Sequence, residues 1–184
     1  MKKLKIALLA ILAISLTFTS CKEEETVTPQ KNIVELAQAN PNLSILVQAV
    51  LKANLAGALS GTGPLTVFAP TNAAFTSLLG ELGVSSLNDL DSATVADVLK
   101  YHVVSGKVLA GSLTNGQVVT TLLPTKTFTI GLTGGAKVTD LDGRISNITS
   151  TDIAASNGVV HVVDKVFLPG ILPDLKKQTE IQQK

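Results

Sequence analysis

Residues Asn157 to Pro169 read Asn-Gly-Val-Val-His-Val-Val-Asp-Lys-Val-Phe-Leu-Pro, and they limit the fold more than any other part of this chain. Asn157-Gly158 predicts a tight turn, because both residue types tolerate positive φ. The nearly unbroken apolar run behind it predicts a strand buried on both faces, since a half-exposed strand would alternate. His161 shares a face of that strand with Val159 and Val163, and Asp164 falls on the other face. A second stretch, Thr66-Val67-Phe68-Ala69-Pro70-Thr71-Asn72-Ala73-Ala74-Phe75, reads as its complement. It predicts a short strand stopped by Pro70, then a helix capped by Thr71 that buries Phe75, Leu78 and Leu79.

The remaining segments sort into helices first and strands second, an α+β arrangement. Asn32 caps a helix over Ile33 to Ala39, closed by Asn40-Pro41. Asn42 is read as the next cap, before an apolar stripe of Leu43, Leu46, Val47, Val50 and Leu51. Gly61-Thr62-Gly63-Pro64 has a faint likeness to a phosphate loop. It lacks the Lys-Ser/Thr end and precedes a strand, so a turn is the better reading. Ser92 is read as the cap of a helix over Ala93 to Tyr101, with Val95, Val98, Leu99 and His102 on one face. Strands are expected at Val118–Leu122, Thr127–Leu132, Ala136–Thr139, Arg144–Thr149, Val159–Val163 and Lys165–Leu168. Turns are expected at Asn115-Gly116, Gly134-Gly135, Asp142-Gly143 and Asn157-Gly158. The tail over residues 170–184 is polar and expected to fray.

Composition removes several functional classes. The chain has 184 residues, 45 % hydrophobic, with 3 % aromatic and no Trp, so its core must be built from aliphatic side chains. Net charge is +1, and −2 without Lys2, Lys3 and Lys5, which offers nucleic acid no basic surface. Only His102 and His161 are available for histidine chemistry. Each sits on an apolar face and reads as a core histidine with a fixed hydrogen bond, ahead of a catalytic or metal-binding one. No Gly-x-Ser-x-Gly elbow is present, so a hydrolase reading has no nucleophile to stand on. No catalytic residue, cofactor or metal is expected. Asp140-Leu141-Asp142-Gly143 matches a fragment of a calcium loop, but Ile145, Ser146 and Asn147 follow where ligands are needed. A hairpin turn with exposed carboxylates is the preferred reading.

The two stretches described first, with Tyr101-His102-Val103-Val104 between them, resemble the two signature blocks and the Tyr-His motif of fasciclin (FAS1) domains, in order and at the usual spacing. The resemblance spans residues 32–169. It implies a wedge-shaped β-sandwich with helices packed along one side, and a module for extracellular adhesion or interaction. Thr71, His102, Asn157, Gly158, His161 and Asp164 then become structural members of the motifs. In animal members an Asp-Ile pair ahead of the second block belongs to an integrin-binding motif. Asp152 and Ile153 match that pair, while Ser150-Thr151 and Ala154 differ from its flanks. The structural alternative buries Ile153 and has Asp152 bond nearby amides. Tyr101, partly exposed, is the other expected partner contact.

Residues 1–20 have the layout of a secretory leader, with a basic start and an apolar run too short to span a bilayer. Phe18-Thr19-Ser20-Cys21 resembles a bacterial lipobox, so Cys21 is expected to carry the lipid anchor. Residues 21–31 are then a polar tether. Lys22-Glu23-Glu24-Glu25 is either a solvated spacer or, by resemblance, an export signal of surface lipoproteins of Bacteroidota. Asp91-Ser92-Ala93 also fits a general O-glycosylation pattern of that group at Ser92, and a helix cap equally well. Together these imply an outer-membrane, surface-exposed lipoprotein that binds an extracellular or envelope protein, matrix or glycan. A periplasmic interaction module for an envelope complex or small ligand is the alternative, and an enzyme ranks below both.

Overall fold

Local signals set the helices. The computed structural model describes residues 30–171 and 173–177, so the leader, Cys21 and Lys22 to Glu25 lie outside the described residues. Helix α1 covers Ile33–Ala39 and opens with a reciprocal cap. The Asn32 side chain accepts from Glu35 N at 3.0 Å, and the Glu35 carboxylate accepts from Asn32 N at 2.8 Å. The next cap is Asn40, not Asn42. Its side chain accepts from the Asn42 amide at 3.0 Å and opens a 3-10 turn over Pro41–Leu43. Helix α2 (Ser44–Lys52) follows without a side-chain cap of its own. Asn72, 27 residues further on, supplies one by accepting from Ile45 N at 2.9 Å. The apolar stripe of α2 faces inward through Leu43, Leu46, Ala49 and Val50, whereas Leu51 is 60 % exposed.

Helix α3 spans Ala56–Ser60, and Thr71 caps α4 (Asn72–Leu82) through Ala74 N at 3.3 Å. Asp91, not Ser92, caps α5 (Ser92–Tyr101). Its carboxylate reaches two amides, Ala93 at 2.8 Å and Thr94 at 3.0 Å, and also the Thr94 hydroxyl. Those donors hold the Asp91 carboxyl below its ordinary range, the Thr94 hydroxyl first among them. The Ser92 hydroxyl turns away and donates to Lys52 O at 2.7 Å, tying α5 to the end of α2.

Seven strands form one mixed sheet in the order β2-β1-β7-β6-β5-β4-β3. They are β1 (Leu65–Pro70), β2 (Val103–Ser105), β3 (Val118–Thr120), β4 (Thr127–Gly131), β5 (Lys137–Thr139), β6 (Ile145–Ala155) and β7 (Gly158–Val163). The β1–β7 pair is parallel and the other pairs are antiparallel. β7 is buried at every position, as its sequence predicts, because β1 and β6 flank it and both faces are covered.

The sheet curls on itself. β1 and β4 stand four strand spacings apart, which in a flat sheet is about 19 Å. Yet the rings of Phe68 on β1 and Phe128 on β4 meet edge to face with centroids 5.2 Å apart. Tyr101 and Phe167 join them in an aromatic-centred core between the two halves of the sheet. This corrects the expectation of an aliphatic core: aromatic residues are few, but these gather at one place. Val67 and Ala69, on the opposite face of β1, pack into a separate core with the helices, among them Leu46, Leu78 and Leu99. One layer of helices on a folded sheet is the α+β architecture expected.

Three expectations fail in this half of the chain. The β6–β7 hairpin pairs Ala155 with Gly158, so its loop is Ser156-Asn157 and Gly158 already lies in the strand. Asn157 is not among the non-glycine residues with positive φ. Gly158 is needed for space instead: a Cβ there would overlap the Leu65 carbonyl oxygen and lie 2.8 Å from its carbon. Lys165–Leu168 is not a strand. Its amides are taken by side chains, Lys165 N by Ser146 Oγ, Phe167 N by His102 Nε2 and Leu168 N by Asp140 Oδ2, at 2.9–3.0 Å. The tail is not wholly frayed, since a helical turn over residues 173–177 buries Leu175 to 2 % exposure against the helical core.

Candidate interaction surface

The register of β6 against β7 slips twice, between Ile148 and Ser150 and again between Ser150 and Ile153. The second slip inserts one residue, and Asp152 takes it up with φ +58°. Aspartate tolerates this left-handed conformation better than most residues. The bulge frees the Asp152 amide from the ladder, and His161 on β7 receives it through Nδ1 at 3.2 Å. His161 Nε2 must then carry the proton, which it donates to Val108 O at 2.9 Å. The Asp152 carboxylate accepts from Ala110 N at 2.9 Å. Thr66, fully buried on β1, donates to Gly106 O at 2.7 Å and accepts from Val108 N at 2.8 Å. Asp152, His161 and Thr66 thus fasten the segment Gly106 to Ala110 to the sheet. No local sequence signal marks Thr66, because its partners are backbone groups 40 and 42 residues away.

His102 and Tyr101 work inside. His102 closes α5 at 1 % exposure, donates from Nδ1 to Val98 O at 2.7 Å and accepts Phe167 N at Nε2. Its ring stacks on Phe167 with centroids 4.6 Å apart and planes 6° apart. Burial pulls its pKa down to about 4, because a charged imidazole would lose its water there. Tyr101 was expected to be partly exposed and to touch a partner. It is fully buried, and its hydroxyl donates to Thr127 O at 2.6 Å. The tight turn of α5 into β2 directs it into the aromatic core between the sheet halves, away from solvent.

Of the expected contact residues, Asp152 and Ile153 do reach the surface together. Asp152 is exposed and Ile153 half-buried, packed on the edge of the helical core. Ile153 and Val160 form one wall of a groove of about 320 Å³, and Leu36, Ala37, Pro41 and Leu43 form the other. The acidic turn reads differently. Asp140-Leu141-Asp142-Gly143 does connect β5 to β6, but Asp140 is only 7 % exposed. Its carboxylate accepts from the amides of Asp142, Arg144 and Leu168. Burial nonetheless raises its pKa above the ordinary carboxylate value. Among the described residues, no group of three or more His, Cys, Asp or Glu side chains gathers to hold a metal.

The fasciclin domain profile matches residues 41–169 of this sequence. The chain belongs to the fasciclin domain family. It is 42 % identical over 139 residues to protein sll1483 of Synechocystis, covering 74 % of this chain and 73 % of that one. An uncharacterised Synechocystis protein, sll1735, is 36 % identical over 76 % of this chain and 98 % of its own. Human periostin is 30 % identical over 75 % of this chain, but only 16 % of periostin is spanned. Among solved structures, a FAS1 domain pair from the insect cell adhesion molecule Fasciclin I aligns with a TM-score of 0.62 at 13 % identity. It covers 76 % of this chain and 51 % of the insect one. At that identity the likeness concerns the fold.

In this fasciclin domain the second signature block acts as a set of clamps. Asn157 accepts from Ile33 N at 3.0 Å and donates to Leu59 O and Gly61 O, each at 2.9 Å, so one side chain joins α1, α3 and the hairpin. Asp164 accepts from Asn147 N and Asn147 Nδ2, each at 2.7 Å, and from the Ser146 hydroxyl at 3.1 Å. Burial alone would raise the Asp164 carboxyl, but these donors together hold it below its ordinary value. Asp164 and His161 make no pair with each other, as the alternation of the strand predicts.

Proposed function

We propose that this protein is a lipid-anchored component of the cell envelope whose fasciclin domain binds an extracellular protein, matrix polymer or glycan and performs no catalysis. The observation that carries this reading is how the motif side chains are used. Each nitrogen of both buried imidazoles is held by a backbone partner, and the Tyr101 hydroxyl is held by another. The chemistry of the motifs is spent on structure, and Ile153 is left in the wall of an apolar groove. The fasciclin family to which the chain belongs includes a domain pair from an insect cell adhesion molecule, which motivates adhesion as the mode of binding. Cys21 is the anchor in this proposal, several acyl chains on it giving stable attachment to the outer membrane. Lys22 to Glu25 direct the domain to the outer face.

Cells that lack the protein are expected to adhere less to a matrix-coated surface. Ile153→Asp, present at the wild-type level and with unchanged melting temperature, should adhere like the deletion. Adhesion that the deletion leaves unchanged would sink this reading. Location has its own test, antibody labelling of intact cells. Cys21→Ser should block leader processing or release the protein from membranes. Alanine at all four of Lys22 to Glu25 should leave it lipidated but unlabelled. Equal labelling of that variant and wild type would remove the export role.

A further inference from the structure

A cleft of about 550 Å³ opens where the loop after α3 faces the β6–β7 hairpin, lined by Thr62, Gly63, Pro64, Lys107, Ala155 and Ser156 among others. Its two walls are locked together. Leu65 N donates to Asn157 O at 3.0 Å, and a side chain at Gly63 would overlap that same oxygen. The cleft is therefore formed before any ligand arrives, and its volume is in the range that holds small ligands.

Lys107 is held over this cleft from both sides. Gly106 donates to Pro64 O at 2.9 Å and accepts from Thr66. Val108 accepts from His161 and donates to Thr66. Four hydrogen bonds thus bracket one exposed lysine, and the buried signature histidine supplies one of them. Among the described residues, the Lys107 ammonium and the Thr62 and Ser156 hydroxyls have no hydrogen-bond or ion-pair partner, and no carboxylate lines the cleft. Among the lining residues, one cation with two free hydroxyls in the same cleft suits a singly charged, hydroxyl-rich ligand. A polyanion such as nucleic acid would need more cations, and an acidic peptide would leave the hydroxyls unmatched.

We propose that this cleft binds an acidic saccharide. The carboxylate or sulfate of one sugar sits against Lys107, its hydroxyls on Thr62 and Ser156, and its C–H face on Pro64 and Ala155. His161, Asp152 and Thr66 are positioning residues for Lys107. The inference rests on the reading of the domain as a binding module and names its ligand class.

The test is calorimetric titration of the full chain in detergent, with amide chemical shifts locating the site. The probes are a singly charged aldobiouronic acid, a monosulfated disaccharide, neutral maltotriose, tetraglutamate and inorganic sulfate. Saturable binding of either acidic sugar is expected, with shifts at residues 62, 63, 107 and 156. Lys107→Ala and the double variant Thr62→Ala/Ser156→Ala should each bind about tenfold or more weakly while melting like wild type. Failure of both acidic sugars to saturate overturns the proposal. So does binding unchanged by Lys107→Ala, or equal binding of maltotriose, tetraglutamate or bare sulfate. The adhesion assay with Ile153→Asp is independent of these titrations. Adhesion intact in Lys107→Ala with no saccharide binding would remove this site and leave the adhesion reading standing.

Discussion

Gly158→Ala is expected to destabilise the domain by about 4 kcal/mol or more, at the severe end of single substitutions. Gly158 pairs with Leu65 at the start of the parallel β1–β7 ladder. An added Cβ would overlap the Leu65 carbonyl oxygen and lie 2.9 Å from Leu65 N. The obstacle is backbone, which cannot swing aside as a side chain can. To make room, the hairpin must lift from β1, which breaks the Leu65 N to Asn157 O bond and pulls Asn157 from α1 and α3. Urea unfolding measures the cost. Gly57→Ala is the control, because a Cβ at Gly57 meets nothing within 4 Å in helix α3. That change should be neutral or stabilise by up to about 1 kcal/mol. A Gly158→Ala protein within about 1 kcal/mol of wild type would disprove the close-packing account.

His102→Ala is expected to cost about 3 kcal/mol at neutral pH. It leaves the buried Phe167 amide without an acceptor, opens a cavity beside the Phe167 ring and loses the stacked contact. The same residue makes stability depend on pH. Its folded pKa, about 4, lies below the ordinary 6.5 of an unfolded chain. Between those values the unfolded state binds more protons, so stability rises with pH. The contribution is complete above 6.5 and lost as pH falls toward 4, a change on the order of 3 kcal/mol. Carboxylates such as Asp140 and Asp164 titrate in both proteins. The difference in unfolding free energy between wild type and His102→Ala therefore isolates the histidine. That difference should shrink from pH 7 to pH 4.5. A constant difference would mean that His102 is not held neutral by burial.

The fasteners divide into two sets with different consequences. His102, Asn157 and Asp164 join elements inside the fold, so their loss is read in stability. His161, Asp152 and Thr66 hold the loop that carries Lys107, so their loss is read at the cleft as well. Histidine suits both sets, since a neutral ring offers one donor and one acceptor on opposite sides. It can link two backbone groups that share no ladder.

Features set by neighbouring residues are legible in the sequence. Asn32 and Thr71 cap helices by bonding amides three residues ahead, so α1 and α4 start where their residues predict. The apolar run of β7 marks a strand buried on both faces, because burial at every position is written in composition alone. The cap expected at Ser92 falls one residue earlier, since Asp91 reaches two amides at once and serine offers a single oxygen.

Features whose partners lie far along the chain are set by the assembled fold. Phe167 and Leu168 look like strand residues, yet their amides find His102 and Asp140, 65 and 28 residues away, and no strand pairs with them. Tyr101 ends a helix where exposure was expected, but the curl of the sheet encloses it beside Phe128. Asp152 stands in a bulge that exists only because β6 is one residue too long for its pairing with β7 there. Its carboxylate then reaches Ala110, 42 residues away. Lys107 carried no signal at all, because its role comes from the hydrogen bonds of its two neighbours. A sequence displays residue types and short spacings. The direction of a side chain toward a backbone group in another element depends on how the sheet twists and closes, and only the assembled fold sets that.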